Sequence, residues 1–413
     1  MKKVALFISL CLVAGSSFAQ KKALKDAKNE LKKTNANLNE ARSLIKSALT
    51  DPETKDLAET WYVAGCVEDK QFEIEKIKEI EGGEPNKDLM FPALDRILPF
   101  FLVADSLDQL PDAKGNIKPK FRKDIKTKIQ FNYLYYINAG QYYYEKEDFQ
   151  KAHETYMLFG DIPKLPLFDG DPFQENAIIT PEDTLVKLRV RYYAAIAADL
   201  ANNHKAAIDV YNEIKDMGFN EDKINERLMI QYTQIQDTIN LIKTLQEGVD
   251  KFNNSDYMLR LIDVYWMQNN IEEAKSYMLK ALEITPDNPD LYNALASVYE
   301  KENEIDKEIA TLEKALEVAP SYVPARLRLG LIYYNKGIDK RESMNDIKNR
   351  KAYEEGMKEV DVFFKQAIPY LEKAYELDNE EPNAILALRN VYYSLGMEKE
   401  YEKMEKIHEE KTK

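Results

Sequence analysis

Apolar residues recur at helical intervals through the C-terminal half of this 413-residue chain. Two successive stripes of this kind consist of Leu291, Leu295 and Val298, followed by Ile305, Ile309, Leu312 and Leu316. This spacing places the apolar residues of each stripe on one face of an α-helix. The polar segments TPDNPD and APSYVP separate the pairs of stripes, and their prolines end one helix and begin the next. The pattern therefore predicts helical hairpins.

A similar sequence segment recurs at an interval of 34 residues. The segment ALEITPDNPDLYNALASVYEKE starts at Ala281, and ALEVAPSYVPARLRLGLIYYNK starts at Ala315. Weaker copies occur upstream in YINAGQYYYEKEDFQKAHETY and RYYAAIAADLANNHKAAIDVY. A fixed period of this length indicates a repeat architecture, in which each hairpin buries its apolar face against its neighbours. We therefore predict an all-α chain of stacked hairpins.

These residues resemble the tetratricopeptide repeat family. That family places a large residue, Leu-Gly and Tyr in the first helix of each hairpin, small and large apolar residues in the second, and Pro at the turn. Residues 289–320 supply Tyr292, Leu295, Ala296, Tyr299, Leu312, Ala315 and Pro320 at these points. The resemblance implies an α-solenoid that winds into a superhelix. It also implies a concave groove, lined by the first helices, that binds a protein or peptide.

Four regions follow from the sequence. They are a signal peptide (1–19), a helical region with one degenerate repeat and an irregular loop (20–128), degenerate repeats (129–254), and a clear array that ends in a charged helix (255–413). Repeat spacing places Gly337 at a turn between helices, but the next matching alanine is Ala367. About 25 additional residues, 338–362, therefore lie inside one hairpin. We expect them to lengthen both of its helices, either as a solvated extension or as a contact arm.

The N-terminus has the pattern of an export signal. MKK is followed by the apolar stretch VALFISLCLVAG and by SSFAQ, which predicts cleavage after Ala19. The apolar stretch is too short to span a bilayer, and lipid attachment at Cys11 is an alternative that Leu10 disfavours. The sequence predicts an exported protein of the periplasm or outer membrane. Cys66 would then be its remaining cysteine, without a partner for an internal disulfide.

Charge and motif content argue against several functions. The formal net charge of −14 disfavours nucleic acid as the main partner. The three histidines, His153, His204 and His408, are widely separated, and HExxH, Walker, GxGxxG and nucleophile-elbow motifs do not occur. We therefore predict no enzyme, cofactor or metal site. A pair of distant carboxylates of the glycosidase kind stays open, since such residues need not be close in sequence.

The resemblance also implies which residues line the groove, namely first-helix positions that packing does not use. These are Arg260, Asp263, Trp266, Asn293, Ser297, Arg328, Tyr334, Asn390 and Tyr393. Some family members clamp a peptide carboxylate with a Lys-Asn-Asn-Lys-Arg set, and this chain lacks the lysines. Trp266 is either an exposed anchor or a residue packed between repeats. The leading interpretation is a non-enzymatic interaction scaffold or assembly factor of the cell envelope. The alternative is an outer-membrane glycan- or nutrient-binding protein built on the same hairpins.

Overall fold

The computed structural model describes residues 21–169, 182–252 and 255–412. These residues form helices and turns, with no strand among them. The chain divides into two compact units, Met1–Thr238 and Ile239–Lys413. This division lies at 238/239, whereas the sequence changes from degenerate to clear repeats at 254/255. The signal-peptide prediction concerns residues outside the described ranges.

Helices of the first unit include a long N-terminal pair, α3 and α4. They are α1 (21–31), α2 (Leu38–Ala48), α3 (Ala58–Ile80), α4 (Lys87–Asp108), α5 (Arg122–Asn132), α6 (Tyr135–Glu145), α7 (Phe149–Asp161), α8 (Glu182–Leu200), α9 (His204–Ile214) and α10 (Glu221–Gln234). Two short 3₁₀ segments, Ile162–Lys164 and Pro166–Phe168, follow α7. Helices α6 to α9 pack as two consecutive hairpins.

The second unit contains the clear repeats. Its helices are α11 (Thr238–Phe252), which starts at the unit boundary, α12 (Ser255–Met267), α13 (Ile271–Ile284), α14 (Pro289–Lys301), α15 (Ile305–Val318), α16 (Val323–Ser343), α17 (Arg350–Leu377), α18 (Pro382–Ser394) and α19 (Glu398–Thr412). Helices α12 to α19 pair in order as four hairpins, and each hairpin packs on the next. The prediction of an all-α fold of stacked helical hairpins is confirmed.

One type of turn recurs between the two helices of a hairpin. The second residue after the first helix has a positive φ of 56–61° at Glu147, Asn202, Asn269 and Asn303. The next N–H then donates back to a carbonyl five residues earlier, as in Glu304 to Tyr299 at 2.9 Å. This is the Schellman arrangement, which satisfies carbonyls at a helix C-terminus and suits Asn because its side chain tolerates the left-handed region. The hairpin turn is therefore encoded locally.

Small residues set the distance between the helices of a hairpin. A Cβ placed on Gly330 would lie 2.6 Å from Leu371 Cγ, so α16 and α17 are close enough there that a side chain would displace Leu371. The equivalent residue of the preceding repeat, Ala296, is fully buried. Tyrosines fill the adjacent space, and Tyr136, Tyr156, Tyr211 and Tyr257 are among the largest fully buried side chains. This packing accounts for part of the 26 tyrosines.

The placement of Gly337 at a turn between helices is wrong. Gly337 is buried inside α16, and a Cβ there would lie 2.5 Å from the ring of Phe364 on α17. Because the facing ring occupies this space, the glycine serves a close helix crossing and the helix continues to Ser343. Residues 338–362 comprise the end of α16, the turn and the start of α17. Lys340 pairs with Glu359 across this extension at 2.5 Å.

Candidate functional site

All nine residues predicted for the groove lie in the second unit, on the first helices of its four hairpins. Arg260, Asp263 and Trp266 are on α12, Asn293 and Ser297 on α14, Arg328 and Tyr334 on α16, and Asn390 and Tyr393 on α18. We call the surface formed by these residues the first-helix face. Several of them contact one another across neighbouring helices, and others are exposed. The two groups have different consequences for binding.

Arg328 joins α16 to the preceding hairpin. Its Nη1 donates to the Asn293 carbonyl at 3.0 Å and to Ser297 Oγ at 2.7 Å, both on α14. Its Nη2 donates to Glu308 Oε1 on α15 at 2.7 Å and to Glu300 Oε2 at 3.1 Å. A ligand carboxylate would have to displace these acceptors from a guanidinium that they already hold. Arg328 is therefore a packing residue of the face.

Glu308 is the buried partner that sequence reasoning missed. Its side chain is 4 % exposed, and burial raises its carboxyl pKa while the Arg328 guanidinium opposes that rise. The repeat could have indicated that Glu308 is buried. The equivalent position of the preceding hairpin is Ala274, which is fully buried. A carboxylate at a small-residue position requires a cation, and Arg328 supplies it.

Tyr334 and Asn390 connect α16 to α18. Asn390 Nδ2 donates to the Tyr334 hydroxyl at 3.1 Å. The Tyr334 ring also packs on Phe364, with centroids 6.0 Å apart. This contact extends the row of helices that Arg328 begins, from α14 through α16 to α18.

Trp266 lies between adjacent repeats. The ammonium of Lys301, on α14, sits 4.0 Å from the centroid of the Trp266 indole on α12. The indole is half-buried. A cation over the face of a tryptophan is a favourable contact, and it covers the surface that an exposed anchor would offer to a partner. Of the two alternatives for this residue, the geometry favours the packed one.

Three predicted residues remain open to solvent. Arg260 and Asp263 are exposed on α12, and Tyr393 on α18 is 71 % exposed. Tyr393 lies against Tyr401 of α19, with centroids 5.4 Å apart. Both tyrosines line a cavity of about 360 Å³ together with Met397. Arg260, Asp263 and Tyr393 are the residues of the first-helix face that a partner can contact directly.

The reactive side chains have structural partners. His153 Nδ1 is 2.9 Å from the Ala194 carbonyl, and His204 Nδ1 is 2.8 Å from Gln231 Oε1. Burial raises the pKa of the Cys66 thiol to about 12, which keeps it protonated. Within the described ranges, no group of three or more His, Cys, Asp or Glu side chains is arranged to hold a metal ion. No helix in those ranges combines the length and apolarity needed to cross a membrane.

Comparison with known proteins bears on the repeats. Residues 186–345 match the family model described as tetratricopeptide repeat protein 21 ARM repeat. The matched segment, less than half of the chain, runs from α8 to the turn after α16, and over these residues the chain is similar to tetratricopeptide repeats. Proteins built on this repeat are generally non-enzymatic scaffolds for protein–protein interaction. A search of curated proteins gives no match.

Among the solved structures that match part of this chain are three of low sequence identity. A crystal structure of MamA is 19 % identical, with a TM-score of 0.32, covering 46 % of this chain and 95 % of that one. YrrB, described as a TPR protein with an unusual peptide-binding site, is 16 % identical, with a TM-score of 0.31 and coverages of 50 % and 95 %. A TPR repeats protein from Bacteroides fragilis is 16 % identical, with a TM-score of 0.29 and coverages of 63 % and 98 %.

Proposed function

We propose that the chain is a non-enzymatic scaffold that binds a protein or peptide on the first-helix face of its second unit. The observation that supports this most is the row of contacts between consecutive first helices. Lys301 covers Trp266 between α12 and α14, Arg328 binds α14 from α16, and Asn390 binds Tyr334 between α16 and α18. The four helices therefore present one continuous surface, which is what an extended partner requires.

Within this surface, some residues join neighbouring helices and others are exposed to a partner. Arg328 and Trp266 hold adjacent helices together, whereas Arg260, Asp263 and Tyr393 remain exposed. Binding energy at protein interfaces is concentrated in a few aromatic and arginine side chains. Tyr393 and Arg260 are the exposed members of those types on the face. We infer that they contact the partner directly.

Site-specific photo-crosslinking tests this proposal. A photoreactive phenylalanine analogue at Arg260, Asp263 or Tyr393 is expected to give the same protein adduct from all three positions, in native cell extract. Leu279 on α13 and Leu377 on α17 are matched controls, because they are 45 % and 40 % exposed on second helices.

The adduct is measured by its mass and by peptide sequencing. Equal yield of the same adduct from Leu279 or Leu377 would exclude the first-helix face as the binding surface. An adduct that resists protease and is removed by glycosidases would instead support the glycan-binding alternative.

We further propose that the protein is exported and acts in the periplasm or at the outer membrane, as the N-terminal sequence predicts. Cleavage after Ala19 would leave a chain that begins at Gln20. N-terminal sequencing of the protein from its native host is expected to begin at Gln20, in the envelope fraction. A chain that retains Met1, or a lipid-modified Cys11, would contradict this proposal, and Ala19→Tyr should block processing if the cleavage site is right.

A further inference from the structure

A cavity of about 630 Å³ in the first unit lies between α2, α3 and α4. It is remote in sequence from the first-helix face, and the proposed scaffold function does not use it. Its size falls in the range of sites for small organic ligands. One part of its lining is apolar and consists of Ile45, Leu49, Ala64 and Phe100. The other part is polar, and its members are Asn39, Ser43 and the charged residues Arg42, Lys46, Glu68 and Arg96.

Glu68 accepts hydrogen bonds from both arginines of the cavity. Its side chain is 2 % exposed. Arg42 donates to it from Nε at 2.7 Å and from Nη2 at 3.2 Å, and Arg96 donates from Nη2 at 2.9 Å. One buried carboxylate thus orients two guanidiniums from different helices. Groups that are held in place before a ligand arrives lose less conformational entropy when it binds.

The charges at the cavity do not cancel. Arg42, Arg96 and Lys46 carry three positive charges against the single negative charge of Glu68. This local excess of two positive charges stands in a chain whose formal net charge is −14. A guanidinium has five N–H donors. Arg96, whose side chain is 45 % exposed, donates one hydrogen bond among the described residues, to Glu68. Its other N–H groups are available to an anionic acceptor.

We propose that this cavity binds a small amphipathic anion, in which a carboxylate or phosphate group is joined to an aliphatic chain or ring. The anionic group binds Arg96 and Lys46, and the apolar part lies against Leu49 and Phe100. Carboxylate and phosphate share this chemistry, because the planar N–H fork of arginine matches both geometries. Leu49 and Phe100, which are partly exposed, favour an apolar group on the ligand, because a simple inorganic anion would leave both in contact with water.

Equilibrium dialysis of the full chain against radiolabelled octanoate tests the proposal. We expect one saturable site per chain. Acetate, which lacks the chain, and octanol, which lacks the charge, should each bind at least ~10-fold more weakly, a difference of about 1.4 kcal/mol or more. Octyl phosphate in place of octanoate distinguishes a phosphate site from a carboxylate site by which of the two binds more tightly.

Arg96→Gln is the decisive variant, because Arg42 still pairs with Glu68 and the buried carboxylate keeps a partner. It should weaken octanoate binding by ~10-fold or more, since a charge-assisted contact is lost. Arg227→Gln is the matched control, because Arg227 lies on α10, is 43 % exposed, and pairs with Asp199 at 3.4 Å. Lys46→Gln tests the same contact at an exposed residue if Arg96→Gln alters the circular dichroism spectrum.

Four results would overturn the proposal. They are the absence of saturable octanoate binding, wild-type affinity in the folded Arg96→Gln or Lys46→Gln variant, octanol binding as tight as that of octanoate, and acetate binding as tight as that of octanoate. Because the first-helix face lies in the other unit, each of these results leaves the crosslinking test of the scaffold unaffected.

Discussion

Arg328→Ala is expected to lower the free energy of unfolding by about 3–5 kcal/mol, as when one partner of a buried ion pair is removed. The variant leaves Glu308, 4 % exposed, without the cation that lies 2.7 Å from its carboxylate. It also removes the hydrogen bonds to Asn293 and Ser297 that join α16 to α14. Urea unfolding followed by circular dichroism measures the loss.

The loss should depend on pH in a direction that the Glu308 carboxyl group determines. Burial raises its folded pKa above the unfolded value near 4.5. The stability linked to this group is therefore fully present below the unfolded pKa and is lost as pH rises through the folded pKa. Removal of Arg328 raises the folded pKa further, so the difference between variant and wild type should be smaller at pH 4 than at pH 7. An equal difference at both pH values would contradict this explanation.

Two further variants separate the buried charge from the loss of the arginine side chain. Glu308→Ala in the Arg328→Ala background should recover much of the stability, because Ala274 occupies the equivalent position of the preceding repeat. Arg326→Ala is the matched control on α16, since its guanidinium donates to the Pro320 carbonyl. That variant should cost only about 0.5–1.5 kcal/mol. A double variant as unstable as Arg328→Ala would assign the effect to α14 contacts instead.

The hairpins could be predicted from the sequence because their determinants are local. Apolar spacing defines each helix, and residues such as Asn269 and Asn303 define the turns. Local sequence did not predict the position of Gly337, which lies inside α16 and not at a turn. A glycine at the repeat position of a turn can equally serve a close crossing, and the choice depends on Phe364, a residue beyond the 338–362 segment. Sequence spacing alone does not show which neighbour faces a glycine.

The candidate face was predictable as a set of positions but not as a set of roles. The resemblance to the repeat family implies which first-helix positions packing does not use. Which of them are in contact with a neighbour depends on side chains that are 20 or more positions apart in sequence. Lys301 reaches Trp266, and Glu308 reaches Arg328, only because their hairpins stack. The buried Glu308 could have been noticed as a departure from the alanine expected there.

Ala315→Asp should be comparably destabilising, at about 3–5 kcal/mol, because it places a carboxylate without a partner in a closed apolar site. Ala315 is fully buried with Ala296, Leu312, Ala325 and Leu329, where α15 meets α14 and α16. The aspartate side chain is also larger than the space that the buried alanine occupies. Lys314→Asp introduces the same side chain one position away, where the helix is exposed, and should change stability little.

The location of the stability loss in Ala315→Asp is as informative as its magnitude. In stacked repeats, each hairpin depends on its neighbours, so the loss should be concentrated around the altered site. Hydrogen exchange is therefore expected to show the largest loss of protection in α14, α15 and α16 for Ala315→Asp, with little change in α6 and α7 of the first unit. Unchanged protection in α14 to α16, or an unfolding midpoint equal to that of Lys314→Asp, would show that Ala315 does not lie at the crossing of these helices.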